Sequence, residues 1–349
     1  MIKIKTFFHK YWLFILLATI GTILAAFYFF NKTTLLKEKE ILTGIIAPKI
    51  TYYSSIKPNL NSLESNFPDF PEKIEIFQVN YSSFSDEQAI KISKDFGYQE
   101  NPLVTNDIYG SIYTWSNDFN NLSVYLKEGK FHYGLDLLRN PELISGLPPS
   151  IQESKNKFSE LLKEKGLEPL NKISVDFINE GYYFGDEANF IKTNQEDPKR
   201  TFAFLQALYK VNNSKIDGPE TPLISLYFAN NFQIARFDYS KIFEKIDLLD
   251  FYPLKTQPEV IETIQNNPQI SFLKNSEGFY QENLIYDEKL PELKNLSFNK
   301  IELIYYKEVS QQTSLQPVFL ITGTAVLNDG TQAEAGLYLP AIKDEYLLK

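Results

Sequence analysis

The sequence predicts an α+β fold: one N-terminal transmembrane helix followed by two or three modules, each made of a helix and an antiparallel sheet. Three observations support this class. Residues 11–30 form a run of 20 residues without a charge. Three later segments place apolar residues at helical spacing, and many short segments alternate apolar and polar residues between Asn, Asp or Gly turns. Such alternation is typical of antiparallel strands that cover a core on one face.

Composition excludes several classes of function. The 349 residues are 43% hydrophobic and 15% aromatic, which favours packed domains. Cysteine is absent, so the chain has no disulfides, thiolate zinc sites, iron–sulfur clusters or cysteine nucleophiles. The net charge is −9 and no basic block offsets it, which argues against nucleic-acid binding. Without a phosphate-binding glycine motif or a histidine cluster, no cofactor is predicted.

The first 72 residues are predicted to form a cytoplasmic tail at 1–10, a transmembrane anchor at 11–30 and a stalk at 31–72. As a helix rising about 1.5 Å per residue, the uncharged run would span roughly 30 Å, the thickness of the hydrocarbon layer. The competing interpretation, a cleavable signal peptide, has a shorter apolar region of about 7–15 residues followed by small residues. Because bulky aromatic residues end this run, the sequence favours an uncleaved signal anchor.

The lysines that flank the anchor are balanced, since the ten residues on each side hold three. A short basic tail before a first helix by default stays inside the cell. The sequence therefore predicts a single-pass protein of the cell membrane with a cytoplasmic N-terminus and an extracytoplasmic C-terminal region. Its contact with the lipid bilayer would be made through residues 11–30.

The first α+β module is predicted at 73–145. The segment "KIEIFQV" alternates as a strand, and the following segment predicts a short helix. Ser85 and Gln88 fit a capping box at the start of this helix, and Gly97 suits its end. Three strand patterns follow, separated by polar turns that are typical of hairpins.

The second α+β region is predicted at 146–349, with a division into 146–245 and 246–349 if it holds two modules. An amphipathic helix begins after Ser150 and ends at Gly166. A third helix is predicted at about Gln257–Gln265. The last apolar hairpin, residues 315–342, carries no positioned acid or base and is predicted to be sheet core.

The order of these segments resembles the extracytoplasmic parts of the YycH/YycI-type membrane-anchored regulators and, more loosely, PepSY-like helix-plus-sheet modules. The resemblance covers the layout of residues 73–342 and includes "YPLKTQPEVIETIQ", "IELIYY" and the strand entry "LQPV". It implies a non-enzymatic ectodomain that binds or restrains a membrane partner, typically a sensor kinase. It carries over no catalytic residue.

Histidine is scarce, with His9 beside the predicted anchor and His132 alone in the remainder. Histidine-rich metal sites are therefore excluded, and a Ser-His-Asp triad would have to use His132. That residue lies on a strand pattern next to a turn, which favours a solvent-facing strand residue.

A second candidate site is the segment "GYYFGDEANF". It places aromatic residues beside acids, a pattern found in sugar-binding sites and equally expected at a loop between two strands. We interpret it as a candidate recognition loop rather than a catalytic site. Its members are Tyr182, Tyr183, Phe184, Asp186 and Glu187.

The function that the sequence favours is non-enzymatic binding or regulation through protein–protein contacts at the outer membrane face. The expected partner is a membrane protein or a second copy of the chain, and exposed sheet edges offer a way to accept a partner strand. The alternative is a carboxylate-dependent hydrolase, or a binder, of envelope polysaccharide. A deep cleft with two facing carboxylates would favour the hydrolase, whereas a flat surface with exposed aromatics would favour the binder.

Overall fold

The architecture is known from a computed structural model, which gathers the chain from Ile46 onward into one compact unit. The described residues are Thr22 and residues 44–107, 110–137, 145–186, 189–219, 223–275, 289–308 and 312–348.

The described helices are short, and the strands reach 14 residues. The α-helices are α1 (Asn61–Ser65), α2 (Asp86–Asp95), α3 (Ile151–Glu164) and α4 (Gln257–Asn266). The strands are β1 (Ile45–Ile46), β2 (Tyr53–Ser54), β3 (Lys73–Tyr81), β4 (Leu103–Asp107), β5 (Gly110–Ser116), β6 (Asn120–Tyr125), β7 (Lys130–Leu135), β8 (Ile173–Asp186), β9 (Asn189–Thr193), β10 (Phe202–Val211), β11 (Ser214–Asp217), β12 (Leu223–Phe228), β13 (Ile234–Ser240), β14 (Phe243–Pro253), β15 (Gln269–Ile270), β16 (Phe272–Asn275), β17 (Leu293–Tyr306), β18 (Ser314–Leu327), β19 (Gln332–Pro340) and β20 (Leu347–Leu348).

Sixteen of the described strands form one mixed sheet. Its main path runs β14-β3-β18-β17-β11-β10-β12-β13-β7-β6-β5-β4, with β8, β9, β16 and β19 paired off this path. Most neighbours are antiparallel, but β11 pairs with β17 in parallel through Ile216 and Tyr305.

The predicted fold class, an α+β chain of two or three separate modules, is therefore wrong, because the protein is mostly β. The pairing of β11 with β17, and of β18 with β3, joins strands that the sequence pattern assigned to different modules. Periodicity identifies a strand and its buried face, but the partner of a strand depends on residues far away in the chain. The module boundaries at 145/146 and 245/246 stay predictions.

The predicted single-pass anchor is also corrected. In the part of the chain that the structure describes, no helix combines the length and apolar composition needed to cross a membrane. The longest helix there, α3, has 14 residues and rises about 21 Å, short of the roughly 30 Å that a crossing requires. The predicted anchor itself, residues 11–30, lies outside the described residues except for Thr22. The extracytoplasmic location stays a prediction.

Local signals predicted the helices well. The capping box of α2 is present, with the Ser85 hydroxyl accepting from the Gln88 backbone N–H at 3.2 Å. The same reciprocal arrangement joins Ser150 and Glu153 at the start of α3. Gly97 adopts a φ of 90°, which a glycine reaches without steric cost. The first two predicted helix starts are thus confirmed by their caps.

The main core lies between the sheet and helices α2 and α3. It contains stacked aromatic rings, such as Phe131 and Tyr239 with centroids 5.3 Å apart. A second core surrounds the last hairpin, where Phe319 and Ile321 are fully buried. The prediction that this hairpin is sheet core is confirmed.

Part of the segment interpreted as a stalk packs on the second core. Leu60 and Leu63, at the start and within α1, are almost fully buried there. Strand β2 pairs with β15 through Tyr53 and Ile270. The residues before the first long strand therefore contribute to the compact unit.

Candidate functional site

The first candidate site is a groove of about 820 Å³, which we call the seam groove. It lies where residues of β3, β8, β10, β11, β14 and β17 come together. Its wall includes a tight turn between β10 and β11, in which Asn212 and Asn213 have φ values of 49° and 67°. Asparagine tolerates this left-handed backbone better than most residues, so the sequence itself favours the turn.

Apolar residues form both the floor and part of the rim of the seam groove. Leu208, Ile301 and Tyr305 are buried in the floor. On the rim, Ile178 is 48% exposed and Phe251 is 45% exposed. Ile178 is the unpaired residue of a bulge in β8, because Phe177 and Asn179 pair with consecutive residues of β10. The bulge projects an apolar side chain that a regular strand would have placed elsewhere.

Each carboxylate of the seam groove is already bound within the protein. The Asn212 amide donates to Glu75 Oε2, and Lys210 lies 2.6 Å from Asp176. Lys215 lies 2.8 Å from Glu302. These contacts satisfy the acids with cations or amide donors. Lys215 also lies 3.3 Å from Asp217, so its ammonium group bridges two carboxylates.

The titration of this groove also disfavours acid catalysis. Burial raises the pKa of Glu302, but hydrogen bonds from Lys215 and Lys300 outweigh it, so the pKa lies below its ordinary value. Burial likewise lowers the pKa of Lys215, but its hydrogen bond to Glu302 and the charges of Asp217 and Glu302 reverse this shift, so the pKa is raised. A glycosidase acid needs a raised pKa to hold a proton near neutral pH. The lowered pKa of Glu302 therefore does not suit the protonated acid of a glycosidase.

The second candidate site is the free edge of β4, which we call the β4 edge. Within the described chain, β4 ends the strand path and pairs with β5 only. All five of its residues are exposed, and its pairing with β5 runs through five consecutive residues without a bulge. Strand edges usually carry lysine, proline or a bulge that blocks further pairing. The β4 residues "LVTND" include none of these.

The β4 edge presents one large apolar side chain to each face of the sheet. Val104 pairs with Tyr113, whose hydroxyl donates to Asp86 of α2 at 3.0 Å, so both residues lie on the helix-covered face. Val104 is nevertheless 48% exposed, which shows that the helix layer ends before β4. Leu103, 68% exposed, pairs with Thr114 on the opposite face.

The segment predicted as a recognition loop forms the end of β8. Tyr182 and Tyr183 are buried, and the Tyr182 hydroxyl accepts from the backbone N–H of Ile151 at the start of α3. Tyr183 packs edge to face against Phe204, with centroids 5.4 Å apart. These two tyrosines are packing residues in this structure.

The other members of that segment are less deeply placed. Phe184 is half-buried, Asp186 is the last residue of β8, and Glu187 lies outside the described residues. A recognition role for this loop stays a prediction.

His132 faces solvent on β7, as predicted, with 45% of its side chain exposed. Its Nδ1 lies 2.7 Å from Asp238, and Asp238 also accepts from Arg236 Nε at 2.8 Å. Ser123 pairs with His132 across β6 and β7, but among the described residues no hydrogen bond joins the two side chains. A nucleophile must contact its base. Ser123, His132 and Asp238 therefore lack the central contact of a hydrolytic triad.

Sequence reasoning missed both candidate sites. Two adjacent apolar residues followed by Thr-Asn-Asp give no alternation, so "LVTND" has no strand signal of its own. The proline before it and the strand pattern after it were the available hints. The seam groove combines residues from six strands, most of them far apart in the sequence, which no local pattern brings together.

Comparison with known proteins gives little further information. No protein-family model matches the chain, and no curated protein matches it. Among solved structures, the chain is similar to an uncharacterized protein from Eubacterium rectale ATCC 33656, with 9% identity and a TM-score of 0.45. The match covers 83% of this chain and 90% of that one. A similarity at this level supports no conclusion about fold or function.

Proposed function

We propose that the chain is a non-enzymatic binding protein that accepts a strand of a protein partner along the β4 edge. The supporting observation is the exposure of all five β4 residues at an end of the strand path that has regular pairing and carries no lysine, proline or bulge. An added strand gains main-chain hydrogen bonds, and its alternating side chains provide specificity.

The chemistry of the edge describes the partner strand. Leu103 and Val104 lie on opposite faces, so a partner strand with apolar residues on both faces would cover them. The chain carries a net charge of −9, so basic residues beside that strand would favour the encounter. We therefore expect a short apolar strand with basic flanks.

Two further points support binding over hydrolysis. The carboxylates of the seam groove are paired with lysine or amide donors. The resemblance of the sequence to YycH/YycI-type regulators also favours a protein partner, since such proteins bind or restrain another protein. No specific observation favours the polysaccharide hydrolase.

Site-specific photo-cross-linking in cells that produce the protein tests this proposal. A benzophenone amino acid replaces Thr105 in the middle of β4, and mass spectrometry identifies the cross-linked chain. We expect one dominant adduct, and we expect Val104→Lys to reduce it by about tenfold or more, because an edge lysine opposes strand addition.

The matched control is Leu248→Lys on β14, an exposed leucine that is 42% accessible and far along the strand path. This substitution should leave the adduct unchanged. An absent adduct, or an adduct that resists Val104→Lys, would show that the β4 edge does not accept a partner strand. An adduct with a second copy of the chain would support the proposal and identify the partner as the protein itself.

A further inference from the structure

Strand β17 lacks a neighbour along the middle of one of its edges. On one side it pairs with β18 along its length. On the other side only its ends are covered: the Phe298 N–H donates to the carbonyl of Asn59 at 3.1 Å, and β11 pairs from Tyr305 onward. Among the described residues, no segment pairs with this side of residues 299–304, which we call the β17 gap. Residues 301–304 also line the seam groove, so the gap opens into it.

The register of β17 shows which backbone groups point into the gap. Pro317 of β18 pairs with Tyr305, but its carbonyl accepts from Ala341 on the far side at 3.3 Å. Two residues paired in this way in an antiparallel ladder both turn their N–H and C=O away from each other. Tyr305 therefore points these groups away from β18, and Leu303 and Ile301 do the same because no register shift separates them from Tyr305.

These four groups, the N–H and C=O of Ile301 and of Leu303, have no hydrogen-bond partner among the described residues. Backbone polar groups are normally paired, since an unpaired one that is removed from water costs free energy. An extended segment beside these two residues would supply two acceptors and two donors, as in strand addition. The gap is about 20 Å long at about 3.3 Å per residue, which accommodates a short strand.

The side chains around the gap define the chemistry of that strand. Residues opposite Ile301 and Leu303 would share the face of these two side chains, which belong to or pack against the second core, so apolar residues suit those positions. The residue between them would share the face of Glu302, whose carboxylate already lies 2.8 Å from Lys215. The charged residues that line the groove sum to zero: Lys73, Lys210 and Lys215 against Glu75, Asp176 and Glu302. An uncharged segment that alternates apolar and polar residues therefore complements the site.

We propose that the β17 gap binds a short, uncharged, extended segment of a protein partner, which pairs antiparallel with Ile301 and Leu303 and places apolar residues opposite both. Antiparallel pairing is chosen because it is slightly more stable per residue than parallel pairing. This site lies in the seam groove, is separate from the β4 edge and does not depend on strand addition there.

Hydrogen exchange at single-residue resolution tests the proposal with the capped pentapeptide acetyl-Val-Thr-Val-Thr-Val-amide. The full chain carries Val104→Lys, which closes the β4 edge to this probe. At saturating peptide, exchange of the Ile301 and Leu303 amides should slow by at least about tenfold, because both become hydrogen-bonded. The amides of Glu302 and Ile304 point toward β18 and should exchange at unchanged rates.

Two methylated peptides provide a matched pair that leaves the protein unaltered. In the proposed pairing the middle valine directs its N–H to β17, whereas the threonines direct theirs away. N-methylation of that valine should raise the Kd by at least about tenfold, because it removes a main-chain donor and adds a clash. N-methylation of one threonine should change the Kd by less than about threefold.

Two variants of the protein make the reciprocal comparison. Leu303→Pro removes the N–H that points into the gap, at a position where the ladder with β18 loses no bond, and it should raise the Kd about tenfold. Leu303→Ala also shortens the side chain but keeps the N–H, and it should raise the Kd no more than about threefold. Thermal unfolding verifies that both variants fold, and the methylated peptides decide the question if Leu303→Pro does not.

The proposal fails if the bound peptide leaves exchange of the Ile301 and Leu303 amides unchanged. It also fails if the valine-methylated peptide binds as tightly as the threonine-methylated one, because the groove would then hold apolar side chains without main-chain pairing. Binding to the unsubstituted protein that disappears with Val104→Lys would place the peptide at the β4 edge. That result would support strand addition at β4 and refute the site at β17.

Discussion

The strands at the two ends of the strand path, β4 and β14, differ in the features that block pairing with a further strand. Strand β4 has five exposed residues, regular pairing and one charged residue, Asp107. Strand β14, at the other end, has 11 residues and two register shifts against β3. Charged residues are spread along β14: Glu244, Lys245, Asp247 and Asp250. Bulges and charges are the features that prevent edge-to-edge pairing. Strand β14, with four charged residues and two register shifts, is therefore the guarded end, and β4, with one charged residue and no register shift, is the more open end.

The guarded strand is also the better anchored one. Phe243 and Tyr252 of β14 are 1% exposed, so both ends of the strand are fixed in the core. Beyond its last residue, the backbone N–H of Lys255 donates to the carbonyl of Ala341 at 2.8 Å. The two ends of the strand path therefore differ: β14 is anchored in the core, whereas β4 is exposed along its whole length.

The largest expected difference concerns stability. Phe243→Ala on β14 should reduce the free energy of unfolding by about 3–5 kcal/mol, because it removes a buried ring and leaves a cavity. Leu103→Ala on β4 should change it by less than about 0.5 kcal/mol, since that side chain is already in water. Denaturant unfolding of both variants measures the difference. Equal losses would mean that β4 is packed in solution, contrary to its exposure here.

The same contrast explains which strands the sequence could predict. Strands that have a neighbour on each side and bury one face alternate apolar and polar residues, and β3, β6 and β7 were recognised on that basis. Strand β4 has no buried residue, so its sequence carries no period. In β14 the bulge around Leu249 interrupts the alternation. Edge strands are defined by their one neighbour, and that information is not local.

The candidate sites show the same limit. His132 was correctly predicted to face solvent, because a strand beside a turn determines the direction of its side chains. Tyr182 and Tyr183 were interpreted as a loop, but pairing with both β9 and β10 places them inside the sheet. The seam groove depends on the joining of β3, β11 and β17, and the sequence contains no sign of that contact.

A smaller difference is expected in local opening. The backbone amides of β4 belong to a strand that has no buried residue. Those of β14 lie on a strand whose two ends hold the buried residues Phe243 and Tyr252. Hydrogen exchange should therefore be at least about tenfold faster for a peptide covering 103–107 than for one covering 243–253. Exchange measured by mass spectrometry checks this. Similar protection in the free protein would indicate that β4 already has a partner, such as a second copy of the chain.

The smallest expected effect is a pH dependence at the helices near the two ends. Hydrogen bonds from the Thr256 backbone N–H and hydroxyl, at 2.6 and 2.8 Å, lower the pKa of Glu259 in α4 below 4.5. A hydrogen bond from Ser85 lowers that of Glu87 in α2. A carboxyl whose pKa is lower in the folded than in the unfolded state adds stability above its unfolded pKa. That contribution is lost as pH falls through the folded pKa.

Glu259→Gln should therefore lower the melting temperature near pH 7 and converge with the unsubstituted protein as the pH approaches about 3. Glu87→Gln should follow the same course with a smaller amplitude, because Glu259 has the additional cation Lys343 at 3.5 Å. Thermal unfolding between these pH values compares the two variants. A gap that persists at low pH would assign the loss to packing rather than charge. Equal changes in melting temperature for the two variants would mean that the starts of α2 and α4 are electrostatically alike. The difference between the two ends of the strand path would then lie in β4 and β14 themselves.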